Sequence, residues 1–146
     1  MVGTEGTEDA LRRGLIDTGA IYAFVTRNDR HHRGARTFVR RWTRRHGLFV
    51  LPDLIFAETM TLLKVRLGAA VAVRVGLELR GNPVYAWESL GAEGERDTWA
   101  TFRQYADKEW SYADCALLVV ARRSGISSVF AFDTHFSQIT GIVTLP

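Results

Sequence analysis

Four carboxylates occupy positions that ordinary packing does not explain well: Asp17, Glu58, Asp114 and Asp133. Asp17 follows Leu15-Ile16, and Asp133 follows Val129-Phe130-Ala131-Phe132, so each stands at the carboxyl end of a short apolar run. Glu58 falls among Leu51, Leu54, Ile55, Leu62 and Val65, which share helical spacing. Asp114 shares a helix face with Leu117, Leu118 and Ala121. Burying an unpaired charge costs several kcal/mol, so a carboxylate in such a place needs an arginine, a proton or a cation. Singly, each has a plain explanation. A strand-end Asp can cap the next helix, Glu58 can pair with Arg66 or Arg74, and Ser111-x-x-Asp114 resembles a capping box. The four together do not share one. Clustered carboxylates repel unless cations sit among them. An all-oxygen set suits Mg²⁺ or Mn²⁺, and such a site polarises a phosphodiester and activates water for in-line attack. The spacing is compatible with a metal site without identifying one.

The elements that must carry these acids follow from apolar runs and their punctuation. A strand ending at Leu15-Ile16-Asp17 is followed by a helix through Ala20, Ile21, Phe24 and Val25, broken at Asn28-Asp29. A basic helix spans residues 33–46, and Leu48 to Leu51 is the second strand. Pro52-Asp53 opens a helix that stops at Gly68, and Ala69 to Arg80 is another, stopped by Gly81-Asn82-Pro83. Val84 to Trp87 is a third strand and Glu95 to Ala106 a helix. Ser111 caps a helix to Arg123 with Gly125 past its end, Val129 to Phe132 is a strand, and Ile142 to Leu145 is a last short one. Alternating strands and helices indicate an α/β fold with a parallel sheet covered on both faces. In such sheets, sites gather at the carboxyl ends of strands, where Asp17 and Asp133 fall.

The chain of 146 residues suits one domain at 14–146, preceded by a loose extension over 1–13. With 47% hydrophobic residues it can bury a core without disulfides. Its one cysteine, Cys115, lies in an apolar run and reads as a small core residue, which fits a reducing, cytoplasmic setting. Met1 to Ala10 lack the features of a secretory signal, and no apolar run approaches the roughly 20 residues of a membrane span. Net charge is only +3, yet the segment Arg27 to Arg45 holds eight arginines and the single acid Asp29. A GC-rich genome would enrich arginine everywhere but would not cluster it. Arg33, Arg36, Arg40 and Arg44 recur on one helix face, a stripe suited to RNA phosphates or to an acidic segment of a protein partner. His31-His32 read as loop-packing or substrate-contact residues, and His135 as part of the turn after Asp133. Trp87, Trp99 and Trp110 read as core or interface aromatics.

The chain resembles PIN-domain ribonucleases, and among them the VapC-type toxins of bacterial toxin–antitoxin pairs. The resemblance is carried by Ile16-Asp17-Thr18, Asn28-Asp29 with His32, and Phe56-Ala57-Glu58-Thr59 with Leu62-Leu63. It continues through Asp107-Lys108-x-x-Ser111-Tyr112-x-Asp114-Cys115, Gly125-Ile126 and Ala131-Phe132-Asp133-x-His135-Phe136. It implies a three-layer α/β/α fold, RNA hydrolysis through metal-activated water, frequent homodimers and neutralisation by a cognate antitoxin. It also implies that Asp17, Glu58, Asp114 and Asp133 line one pocket and hold Mg²⁺ or Mn²⁺, supported by Thr18 and Ser111. Gly19 departs from the Ser or Ala common after the Asp-Thr pair, and the thirteen residues before Gly14 exceed the usual lead.

Three other readings compete. A housekeeping PIN nuclease that processes ribosomal or transfer RNA would use the same chemistry. A degenerate PIN domain would bind without cutting, although all four acids are retained. A receiver-like module would bind Mg²⁺ at strand-end acids, but it leaves Glu58 and Asp114 unexplained. It would also want adjacent acids after the first strand and a late strand-end lysine, and the chain's lysines are Lys64 and Lys108.

Overall fold

The computed structural model describes residues 12–139 and 141–146. Apolar runs at Arg13–Ile16 (β1), Leu48–Pro52 (β2), Tyr85–Glu88 (β3), Ser128–Phe130 (β4) and Val143–Leu145 (β5) form one sheet in the order β3-β2-β1-β4-β5. Every pairing in it is parallel. The described helices are α1 (Thr18–Val25), α2 (His32–Arg44), α3 (Asp53–Leu67), α4 (Ala69–Gly81), α5 (Gly91–Gln104) and α6 (Tyr112–Ser124), with a 3₁₀ turn at Phe136–Gln138. The chain winds outward from β1 to β3, then crosses back to β4 and β5. Right-handed crossovers in the two directions put helices on opposite faces, which gives the expected three-layer α/β/α architecture. The order also separates this sheet from the 2-1-3-4-5 arrangement of receiver-type domains.

Buried side chains explain why the elements lie where they do. Leu15, Ile16, Phe49, Val50, Leu51, Val129 and Phe130 fill the central strands, and Phe38 of α2 packs at a tilt against Phe130 with ring centroids 4.5 Å apart. Helix α6 is buried along most of its length, from Ala113 through Ala121 apart from Asp114. Its N-terminus is set by a reciprocal cap: Asp114 N donates to Ser111 Oγ at 3.0 Å and Ser111 N donates to Asp114 Oδ2 at 2.9 Å. Gly125 closes it with a left-handed φ of 67°. Cys115 is buried in the core, and burial followed by the neighbouring Asp114 raises its thiol pKa, so it is a poor nucleophile.

Several boundaries differ from the sequence-based expectation. The extension expected over 1–13 lies outside the described residues as far as residue 11, and Arg13 already pairs with Leu48 in the sheet. Helix α5 begins at Gly91, earlier than the expected Glu95. Strand β4 ends at Phe130, not Phe132: the Ala131 amide still donates to Leu145 O at 3.1 Å, and the chain then turns. Trp87 and Trp99 are exposed, so neither is a core residue.

Candidate active site

The sheet reverses its winding between β1 and β4, and a crevice opens at the carboxyl ends of two such strands. Asp17 follows β1 directly. Its amide donates to Phe130 O of β4 at 3.0 Å, which ties it to the switch point. Asp17 holds the N-cap position of α1, yet its carboxylate makes no capping hydrogen bond. That carboxylate is buried, which the simple capping explanation would not require. Asp133 stands three residues beyond β4, on an exposed turn where its Oδ1 accepts from the His135 amide at 3.0 Å. It is therefore not at the strand end, as the sequence suggested.

Asp114 comes from the first turn of α6 and is largely buried. Glu58 comes from the middle of α3, and here the sequence reading needs correction. The buried stripe of α3 is Ile55, Thr59 and Leu63; Glu58 is exposed, and so is Val65. Nor does Glu58 pair with Arg66 or Arg74. It accepts a hydrogen bond from Thr18 Oγ1 at 2.8 Å, and Thr18 accepts one from Thr59 Oγ1 at 3.3 Å. Thr59 in turn donates to Ile55 O at 2.7 Å, so a short hydroxyl relay locks Glu58 to the start of α1.

The charges of the other three acids reach Asp17. Asp17 is pushed up from the ordinary 3.8 to about 7. Burial is the largest cause and the charge of Asp114 the next; Glu58 and Asp133 also raise it, against the lowering effect of the Thr18 amide. No lysine or arginine among the described residues forms a salt bridge with any of these four acids, despite the abundance of arginine. Four carboxylates without a lysine or arginine partner fit a hard divalent cation in their donor chemistry. Among the described residues, no three Asp, Glu, His or Cys side chains are drawn close enough to hold one ion between them.

One neighbour was missed at the level of sequence. His135 Nδ1 lies 3.2 Å from Asp114 Oδ2 and 3.3 Å from Asp133 Oδ2, spanning two of the acids. The only sequence signal is its place two residues after Asp133; contact with Asp114 arises because the fold brings α6 to the β4 turn. Ser111 caps α6 and fixes Asp114 through its amide. The arginines Arg33, Arg36, Arg40 and Arg44 are all exposed on α2. His31, just before that helix, stacks on Phe132 with ring centroids 4.4 Å apart, which joins the start of α2 to the Asp133 turn.

A doubly wound parallel sheet with acidic side chains near its switch point defines the class of domain. Residues 14–142 match the family model described as PIN domain, and the chain belongs to that family. It is 29% identical over 123 residues to the 23S rRNA-specific endonuclease VapC20 of Mycobacterium tuberculosis, covering 84% of this chain and 91% of that protein. The crystal structure of the same organism's VapC20, described as a sarcin–ricin loop cleaving toxin, superposes with a TM-score of 0.78 at 28% identity. That match covers 88% of this chain and 95% of the other. A toxin–antitoxin complex from Klebsiella pneumoniae shares the fold, with a TM-score of 0.61 at 19% identity over 90% of this chain and 96% of that one. The resemblance to VapC-type PIN domains thus extends along nearly the whole chain.

Proposed function

We propose that the chain is a VapC-type endoribonuclease toxin that hydrolyses RNA phosphodiesters at the Asp17–Glu58–Asp114–Asp133 ring using Mg²⁺ or Mn²⁺. The observation that carries this reading is that buried Asp17 feels the charges of Asp114, Glu58 and Asp133, none of them paired with a lysine or arginine among the described residues, in a chain that matches the PIN family over residues 14–142.

A bound divalent cation would supply charge neutralisation, polarise the scissile phosphate and make water acidic enough to attack it. The chain's own residues prepare that chemistry. Buried Asp17 sits deepest in the ring and has the strongest reason to exchange its proton for a cation. Asp114 is fixed by the Ser111 amide, and Glu58 by the Thr18 hydroxyl. Both supporting contacts spend a hydrogen bond on aiming a carboxylate that packing alone would leave free to rotate.

The VapC20 relative is named for 23S rRNA, so ribosomal RNA is the first substrate to test for this chain. A cognate antitoxin as inhibitor and a cytoplasmic setting follow from the same kinship. A homodimer is supported by the exposed Val65 of α3 and Val73 and Leu77 of α4, apolar side chains on two helices that pack together. The whole reading is tested by incubating the protein with ribosomal RNA, with and without a chelator. Cleavage that the chelator abolishes and Mg²⁺ or Mn²⁺ restores is the expected result. Cleavage unaffected by chelation would remove the metal from the account.

A further inference from the structure

The acid ring accounts for bond cleavage but not for the charge on α2. This helix carries no acid between His32 and Arg44, none in its first turn, and no side-chain cap at His31. Arg36, Arg40 and Arg44 follow one another at four-residue steps, about 6 Å of rise each, and like charges so spaced destabilise a helix. Neighbouring Arg41 and Arg45 repeat the arrangement.

The helix also has a definite direction. Its start is joined to the Asp133 turn through the His31–Phe132 stack. Its end lies at the amino-terminal ends of β1 and β2, where Trp42 Nε1 donates to Leu48 O at 3.1 Å and Leu48 N donates to Arg12 O at 3.1 Å. A 13-residue helix spans about 20 Å. At the far end, Arg12, Arg41 and Arg45 line a cleft of about 320 Å³ over Phe38, Trp42 and Pro146.

We propose that α2 is a backbone track for folded RNA. The strand that reaches the acids continues down Arg33, Arg36, Arg40 and Arg44 to the cleft of Arg12, Arg41 and Arg45 at the amino-terminal ends of the central strands. This rests on the ribonuclease reading and adds to it the kind of RNA: one with a body long enough to follow the helix. The chemistry favours a polyanion over a protein partner. Among the described residues the exposed large apolar ones are Val65, Val73, Leu77, Trp87, Trp99 and Val143, none of them on α2. Protein interfaces centre on apolar and aromatic side chains with charge depleted at the core, whereas guanidinium forks match phosphate oxygens. The track reads backbone rather than bases. Trp42 has its indole N–H committed to Leu48 and its ring packed against Phe38 and Phe49 at 5.6 and 5.8 Å, so it offers no free stacking platform.

The test measures RNA binding by fluorescence anisotropy across a salt series, on Asp114→Asn protein without added metal, so that binding is read whether or not the chain cuts. Two pairs are introduced: Arg40→Gln with Arg44→Gln, and Arg41→Gln with Arg45→Gln. For a hairpin RNA, each pair is expected to lower the slope of log affinity against log salt by about 2. A dinucleotide, whose single phosphate cannot follow a helix about 20 Å long, is expected to show no change. An unchanged hairpin slope for both pairs overturns the proposal. So does weakened binding of the antitoxin by the same substitutions with RNA binding intact, which would assign the stripe to protein. A protein that loses slope as expected but never cuts RNA would retain the track and sink the ribonuclease reading instead.

Discussion

Replacing Asp17 by Asn should stabilise the metal-free protein, and by an amount that depends on pH in a defined way. In the folded state Asp17 holds its proton up to about pH 7, while in the unfolded chain it releases it near 3.8. Between those values the unfolded state binds fewer protons, so rising pH favours unfolding. The stability associated with a protonated Asp17 is present in full below about pH 4 and is lost as pH climbs through 7. The interval is about 3 units, and at 1.36 kcal/mol per unit the loss reaches about 4 kcal/mol. Against a typical domain stability of about 5–15 kcal/mol that is a large fraction. Asn keeps the shape and removes the charge. Urea unfolding of both proteins in chelator, from pH 4 to pH 8.5, gives the difference directly and cancels the titrations they share. The difference should be small at pH 4 and should grow with pH in favour of the variant, levelling off above 7. Saturating Mg²⁺ should reverse the order, since ligand at a hundred times its Kd adds about 2.7 kcal/mol to the protein that binds it. A difference that is the same at pH 4 and pH 8, or a variant less stable than the wild type at pH 8 without metal, would refute the buried, crowded carboxylate.

Two further substitutions probe how the site and its supporting helix are held. Thr18→Val removes the hydroxyl that holds Glu58 and should cost about 1 kcal/mol in unfolding free energy. Cleavage should fall much further than that modest loss would explain, and activity equal to the wild type would show that Glu58 needs no such support. Gly47→Ala would set a methyl group 2.5 Å from Trp42 Nε1, at the bond that fixes the end of α2 to Leu48. Overpacking of this kind costs about 1–3 kcal/mol, so a lowered melting temperature is expected, and an unchanged one would contradict the packing described.

Much of this molecule was legible because parallel strands buried on both faces read as short apolar runs. Leu48 to Leu51 and Val129-Phe130 needed only their flanking glycines and polar turns to be placed, and Asp17 followed from the first run. Helix α3 was harder. Leu54, Ile55, Leu62 and Val65 suggested one inward face, and Ile55 is indeed buried, but Leu63 is apolar too, and a helix apolar on several sides gives periodicity little contrast. The true inward stripe contains Thr59, a polar residue whose hydrogen bonds go to Ile55 O and Thr18, which no pattern of hydropathy announces. Asp133 was drawn to the strand end because Ala131 and Phe132 are apolar, although the ladder ends with the Ala131 amide. His135 was placed in the turn after Asp133, but its contact with Asp114 could not be read: it spans 21 residues and exists only once the fold brings the start of α6 to that turn.

The most direct test of the acid ring is ribosomal RNA cleavage in Mg²⁺ or Mn²⁺ by the wild type beside Asp114→Asn. The variant keeps an oxygen to accept from the Ser111 amide, so the helix cap survives while the charge is lost. The account predicts metal-dependent cutting by the wild type and none by a variant whose circular dichroism and melting temperature match it. Equal cutting by the two proteins would contradict the claim that these carboxylates carry the reaction.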